Sequence, residues 1–171
     1  MAVPRSNRYS AQLNAVPSSS TMPPAHLRPP TPAAVRAWQL VFAAWLVAST
    51  STLGALFFGE VMHYPTCTLC WYQRIFMFPL AVLLPFGLFP YDPKVVRYTL
   101  PLAGIGGLIA IFHQLLVAGV IPESIKPCMP GVPCSVTVVT WFGFLTIPLL
   151  SIFAFISIAA LLLAAHSRSP R

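Results

Sequence analysis

Apolar positions fall into four long runs separated by short polar stretches, at about residues 37–59, 71–90, 99–121 and 136–165. With a rise of 1.5 Å per residue, about 20 helical residues cross a hydrocarbon core about 30 Å thick. Each run is long enough to span. The pattern therefore predicts an all-α fold, a polytopic membrane four-helix bundle. Pro79, Pro85, Pro101 and Pro148 fall inside the runs. They would break soluble helices, but spanning helices tolerate proline, with kinks, where neighbouring groups satisfy the freed backbone. The small cluster Gly104, Gly106 and Gly107 suits close helix approach. No strand precedes it and no acidic residue follows about 20 positions on, so it is not a dinucleotide-binding fingerprint.

Composition agrees with this reading: 57% of the 171 residues are hydrophobic and 8% charged, against about 25% charged in soluble domains. The length allows one bundle and no second domain of useful size. Residues 1–36 hold prolines, serines, four arginines and no acid, and read as a disordered basic cytoplasmic tail. They lack the short, early apolar stretch of a secretory signal. A transit peptide is an alternative for this acid-free segment, and Met22 is an alternative start. The spanning domain is then 37–165, with a second cytoplasmic tail at 166–171.

The net charge of +7 would suggest nucleic acid in a soluble protein. In a spanning one it suggests basic residues on cytoplasmic helix ends, and no nucleic-acid partner is expected. Arg5, Arg8, Arg28, Arg36, Lys94, Arg97, Arg168 and Arg171 lie in the two tails and the second loop, whereas the first and third loops hold only Lys126. Both termini are therefore expected inside, with loops 60–70 and 122–135 facing out. Glu60, Asp92 and Glu123 are too far apart in sequence to suggest a paired-carboxylate site, and no P-loop is present.

All four cysteines lie in the two outward loops: Cys67 and Cys70 in the first, Cys128 and Cys134 in the third. An oxidising compartment favours disulfides there. Cys67 and Cys70 lead directly into an apolar helix, whose N-terminal N–H groups favour thiolate. Arg74, four residues after Cys70, shares its helix face and adds a permanent positive charge. A thiolate is the species that attacks a disulfide. Arginine this near the hydrocarbon must snorkel or pair, so Arg74 is a candidate binder of something polar in the membrane. His113, with Gln114, is expected about 12 Å, or eight residues, below the outer end of the third helix.

Plainer readings stand beside these. Arg74 can be an interfacial anchor beside Trp71 and Tyr72, and His113 a histidine satisfied within the bundle. Cys67/Cys70 can be a staple, although so short a loop removes little chain entropy. Cys128/Cys134 can be a loop clasp, and four thiols can bind zinc, against which an oxidising face and a loose second spacing argue. If two dithiols exchange, electrons must leave Cys67/Cys70. No haem or flavin motif is visible, so a quinone dissolved in the bilayer is the economical acceptor. Arg74 and His113 could then hold the two polar ends of its ring. Pro127, Pro130, Gly131 and Pro133 exclude regular structure around the second pair, leaving a loop that a protein partner can reach.

The segment Cys67-Thr-Leu-Cys70-Trp-Tyr-Gln-Arg74, followed by an apolar helix with Pro79, resembles the signature of the disulfide bond formation protein B (DsbB) family, including its shorter BdbC-like branch. The resemblance continues in Leu100-Pro-Leu, Phe112-His113, Gly131-Val-Pro-Cys134-Ser and Trp141-Phe-Gly-Phe-Leu-Thr-Ile-Pro148, and covers about 37–165. It implies a bacterial inner-membrane oxidoreductase that reoxidises a DsbA-like thioredoxin-fold partner outside the cytoplasm and reduces ubiquinone or menaquinone. It further implies that Cys128 forms the mixed disulfide with the partner, Cys134 resolves onto Cys67, Cys70 faces the quinone and Arg74 binds it. His113 matches a histidine of the short-loop branch. Only five residues separate Cys128 from Cys134, so the interfacial helix of longer-loop members is not expected. Two alternatives compete with this reading. One is a non-enzymatic scaffold or transporter subunit clasped by structural disulfides. The other is an enzyme resembling vitamin K epoxide reductase, whose motif and cysteine order differ.

Overall fold

The computed structural model describes residues 31–121, 140–141 and 145–168. Cys128 and Cys134, the rest of the 122–139 segment and residues 1–30 lie outside the described residues. Within them run α1 (Pro32–Leu56), which widens into a π-helical turn (Phe57–Val61), then α2 (Thr68–Phe86) and α3 (Val95–Val117). A minimal antiparallel pair follows, β1 (Thr140–Trp141) with β2 (Leu145–Thr146), in the register Thr140 to Thr146 and Trp141 to Leu145. The last element is α4 (Ile147–Arg168).

Two helix starts differ from the apolar runs, and capping chemistry explains both. α1 begins at Pro32, before the run does. The Thr31 hydroxyl accepts from the Ala34 N–H at 3.2 Å, and Pro32 occupies the first helical position, where its missing N–H costs nothing. α4 begins only at Ile147, although the fourth run starts near 136. Thr140–Trp141 and Leu145–Thr146, just before it, pair as extended strands instead. The Thr146 hydroxyl then accepts from the Leu149 N–H at 3.4 Å and starts the helix, with Pro148 in the first turn, where it breaks nothing.

Each helix packs on its neighbours in sequence, and α1 closes the ring against α4. Inward stripes follow a three-and-four spacing: Ala37, Val41, Ala44 and Ala48 on α1, and Phe155, Ile158, Leu162 and Ala165 on α4. Outward positions are just as apolar. Leu53, Phe86, Leu108 and Phe153 are exposed, a surface suited to lipid and unsuited to water. All four helices are long and apolar enough to cross a membrane.

The prolines are accommodated as spanning helices require. Pro85 has no N–H for the carbonyl of Ala81 one turn earlier; the Trp45 indole of α1 donates to that oxygen at 3.1 Å. Of the glycine cluster, Gly106 makes the close approach: a Cβ there would overlap the ring of Phe155 on α4, whereas one at Gly104 meets nothing within 4 Å.

Candidate functional site

Hydrogen bonds bring the end of α1, the start of α2, the end of α3 and the start of α4 to one end of the bundle. Arg36, Lys94, Arg97 and Arg168 lie toward the opposite helix ends. The polar side chains of the site occupy inward stripes that are otherwise apolar: Leu69, Gln73, Met77, Leu80 and Leu84 on α2, and Gly106, Ala110, His113 and Leu116 on α3.

α2 starts where it does because Cys67 caps it. Cys67 has extended backbone, φ −73° and ψ 163°, and its Sγ accepts from the Cys70 N–H at 3.4 Å. A sulfur thus fills the position that serine or aspartate commonly takes, at the positive end of the helix dipole. Cys70 Sγ lies 3.1 Å away, and both residues are free thiols. Cys67 is buried and Cys70 half-buried.

His113 Nε2 stands 3.7 Å from Cys67 Sγ. Its other ring nitrogen, Nδ1, is 3.0 Å from Gln73 Nε2. With the amide donating to Nδ1, the ring proton sits on Nε2 and points at the sulfur. Cys67 stands one residue outside the α2 span, and its thiol is held below the ordinary thiol range. The largest cause is the hydrogen bond between the Cys67 and Cys70 thiols; burial opposes it, and His113 and the Cys70 N–H lower it further.

Arg74 is turned into the bundle and is only 9% exposed. Its Nη2 donates to the Ala55 carbonyl at 2.7 Å, and its guanidinium carbon lies 5.4 Å from the centroid of the Trp71 ring. Gly59, in the π-helical turn, makes room for it: a Cβ there would stand 2.8 Å from Nη2. Among the described residues no carboxylate pairs with Arg74 and no second hydrogen-bond acceptor reaches it. This geometry differs from an interfacial anchor reaching outward.

A cavity of about 380 Å³ opens among the four helices, lined by Cys67, Cys70, Arg74 and His113 and walled by apolar groups that include Phe58, Met77 and Phe155. Its size falls within the range of small-molecule sites. The structure therefore gathers four of the six residues singled out from the sequence; the other two, Cys128 and Cys134, lie outside the described residues. His113 and Arg74 line the same cavity, with the histidine engaged by the Cys67 sulfur.

Gln73 was not among the six. The signal for it was its place four residues after Leu69 and four before Met77, a polar side chain on an inward stripe. Gln114, adjacent to His113, accepts from the Thr146 hydroxyl at 3.0 Å and ties α3 to the start of α4. Cys67, Cys70 and His113 offer three donor atoms within 4.8 Å of one another. This set differs from the four thiols considered from sequence.

The family model for disulfide bond formation protein DsbB matches residues 36–165. A probable disulfide formation protein of Metapseudomonas resinovorans is 50% identical over 133 residues, covering 77% of this chain and 92% of the relative. Disulfide bond formation protein C of Bacillus subtilis is 48% identical over 120 residues, covering 69% and 86%. A probable disulfide formation protein of Deinococcus radiodurans is 45% identical over 131 residues, covering 71% and 85%. No solved structure matches the chain. The matched segment takes in all but the outermost residues of the four helices, and the Cys67/Cys70 thiols with the arginine, glutamine and histidine around them: this multi-pass membrane protein belongs to the DsbB family of disulfide bond formation proteins.

Proposed function

We propose that the protein is a quinone-dependent thiol oxidase, which takes two electrons from a reduced DsbA-like thioredoxin-fold protein outside the cytoplasm and delivers them to ubiquinone or menaquinone. The observation that carries this reading is the single cavity onto which both Cys67 and Cys70, the Arg74 guanidinium and His113 open. Its apolar walls suit a lipid-soluble ring, and the Arg74 N–H donors not engaged by Ala55 suit a ring carbonyl. Bound there, a quinone supplies a sink for two electrons and two protons.

The chain's own residues do the rest. Cys128 takes the partner's electrons through a mixed disulfide, Cys134 resolves it, and the electrons reach Cys67/Cys70 by thiol–disulfide exchange. Helix-terminal N–H groups and the His113 Nε2 proton stabilise negative charge on Cys67 Sγ. Cys70, the second sulfur of the pair, faces the acceptor. Arg74 orients the acceptor and favours negative charge developing on its oxygen. His113 holds a proton at Nε2 beside the sulfur. The excess of Lys and Arg in the tails and the second loop supports an orientation with both termini in the cytoplasm and the cysteine loops outside, in a bacterial inner membrane.

The test is turnover of purified protein with a reduced thioredoxin-like donor and a soluble quinone, followed by quinone absorbance. Steady turnover that Cys70→Ser abolishes is expected. Absence of turnover, or turnover indifferent to Cys70→Ser, leaves the clasped scaffold instead.

A further inference from the structure

We propose that the reduced site binds one zinc(II) ion, through Cys67 Sγ, Cys70 Sγ and His113 Nε2, with a water from the cavity as fourth ligand. The three donors already lie within 4.8 Å of one another. Tetrahedral zinc with bonds of about 2.3 Å to sulfur and about 2.0 Å to nitrogen requires sulfurs about 3.8 Å apart and a sulfur–nitrogen separation of about 3.5 Å. The observed separations are 3.1 Å between the sulfurs and 3.7 Å from Cys67 Sγ to His113 Nε2. Small side-chain rotations close the difference.

Charge and donor chemistry select the ion. Two thiolates and a neutral imidazole around a divalent cation sum to zero, so a buried complex carries no uncompensated charge. Among the described residues no carboxylate lines the cavity, which disfavours magnesium and calcium, ions that require oxygen ligands. The cavity supplies the open fourth position. Binding is not a redox step: the dithiol stays reduced, each thiol that coordinates loses its proton to solvent, and two zinc–sulfur bonds form. A Cys67–Cys70 disulfide has no thiolate to offer, so the site exists only in the reduced protein.

Gln73 is the positioning residue. Zinc on Nε2 moves the ring proton to Nδ1, and the Gln73 amide then turns so that Oε1 accepts where Nε2 now donates. The binding claim rests on donor geometry alone. Its consequence, that zinc holds the dithiol reduced and stops electron delivery, rests on the proposed oxidase activity.

The experiment uses full-length protein in detergent, with Cys128→Ser and Cys134→Ser removing the other thiols and a phosphine keeping the rest reduced. Zinc chloride is titrated against a chromophoric chelator. One equivalent is expected, lost in Cys67→Ser, weakened at least about 10-fold in His113→Ala, and weakened about 10-fold in Gln73→Leu. Gln73→Leu lies outside the donor set and keeps the test decisive should His113→Ala fail to fold. Cobalt(II) in place of zinc is expected to show sulfur-to-metal charge-transfer absorption. Failure to bind one equivalent, or binding indifferent to Cys67→Ser and Gln73→Leu, overturns the site. In wild-type protein that turns over, zinc should stop quinone reduction and a chelator restore it; full activity with zinc bound overturns the identity of this site with the redox dithiol. A protein without turnover but with intact zinc binding refutes the oxidase reading and leaves the metal site standing.

Discussion

At the scale of single residues, the site depends on what surrounds one sulfur. Cys67 Sγ has the Cys70 thiol, the Cys70 N–H and His113 Nε2 within hydrogen-bonding reach, and these outweigh the burial that opposes ionisation. Alkylation follows the thiolate fraction, so a thiol of ordinary pKa, about 8.5, loses reactivity about tenfold for each pH unit below that value. In the reduced protein, alkylation of Cys67 by iodoacetamide, read by mass spectrometry, should persist at pH 6. His113→Ala removes one stabilising donor, raises the pKa and shifts the loss of reactivity to higher pH. An ordinary thiol profile in the unaltered protein would remove thiolate stabilisation from the mechanism. Arg74 is separable from this. Its side chain fastens α2 to Ala55 but also faces the cavity. Loss of one charged hydrogen bond of ~1.5 kcal/mol to a ring oxygen raises the apparent quinone KM about 10-fold in Arg74→Ala. If KM stays fixed while stability falls, the guanidinium serves only as a strut.

At the scale of elements, the bundle is held by close contacts that differ between neighbouring positions. A Cβ at Gly106 would overlap the Phe155 ring, and one at Gly104, two residues away, meets open space. Gly106→Ala should therefore lower the thermal midpoint in detergent through overpacking, a cost of ~1–3 kcal/mol. Gly104→Ala should leave it unchanged or slightly raised, since alanine favours helix. Equal effects at the two positions would contradict the packing of α3 on α4. This pair also indicates what the sequence could carry. A cluster of small residues signals close approach, but which member touches depends on the rotation of one helix against another, and no local pattern encodes that. The same holds for the start of α4. Apolarity marks 136–165 as one run, while the paired residues Thr140–Trp141 and Leu145–Thr146 and the Thr146 cap, which apolarity does not register, place the helix start at Ile147. The C-x-x-C pair and Arg74 were legible because their spacing along one helix is local. The contact of Cys67 with His113 joins α2 to α3, and Gln73 acquires a role only once that contact exists.

At the scale of the whole molecule, the burial of the first thiol pair sets a requirement on the second. Cys67 is 8% exposed and Cys70 half-buried, both lining the cavity among the four helices. A small ring can enter such a space, but the surface of a folded thioredoxin-like protein cannot bring its sulfur there without displacing helices. If the protein oxidises a protein dithiol, its electrons must arrive through cysteines elsewhere, and the sequence offers only Cys128 and Cys134. Exchange through a mixed disulfide needs one cysteine to hold the partner and another to release it. In the proposed order Cys128 holds and Cys134 releases. Replacing the releasing cysteine should then halt the relay with the partner still attached. In cells producing Cys134→Ala, a covalent complex with a thioredoxin-fold protein should accumulate, visible without reductant and lost with it, and peptide mapping should place the bond on Cys128. The Cys128→Ala,Cys134→Ala double variant should show no complex, yet its Cys67/Cys70 pair should still be oxidised by added quinone, because that step needs neither loop thiol. A partner attached to Cys67 or Cys70 would mean that the cavity opens to proteins, and the relay between two pairs would have to be abandoned.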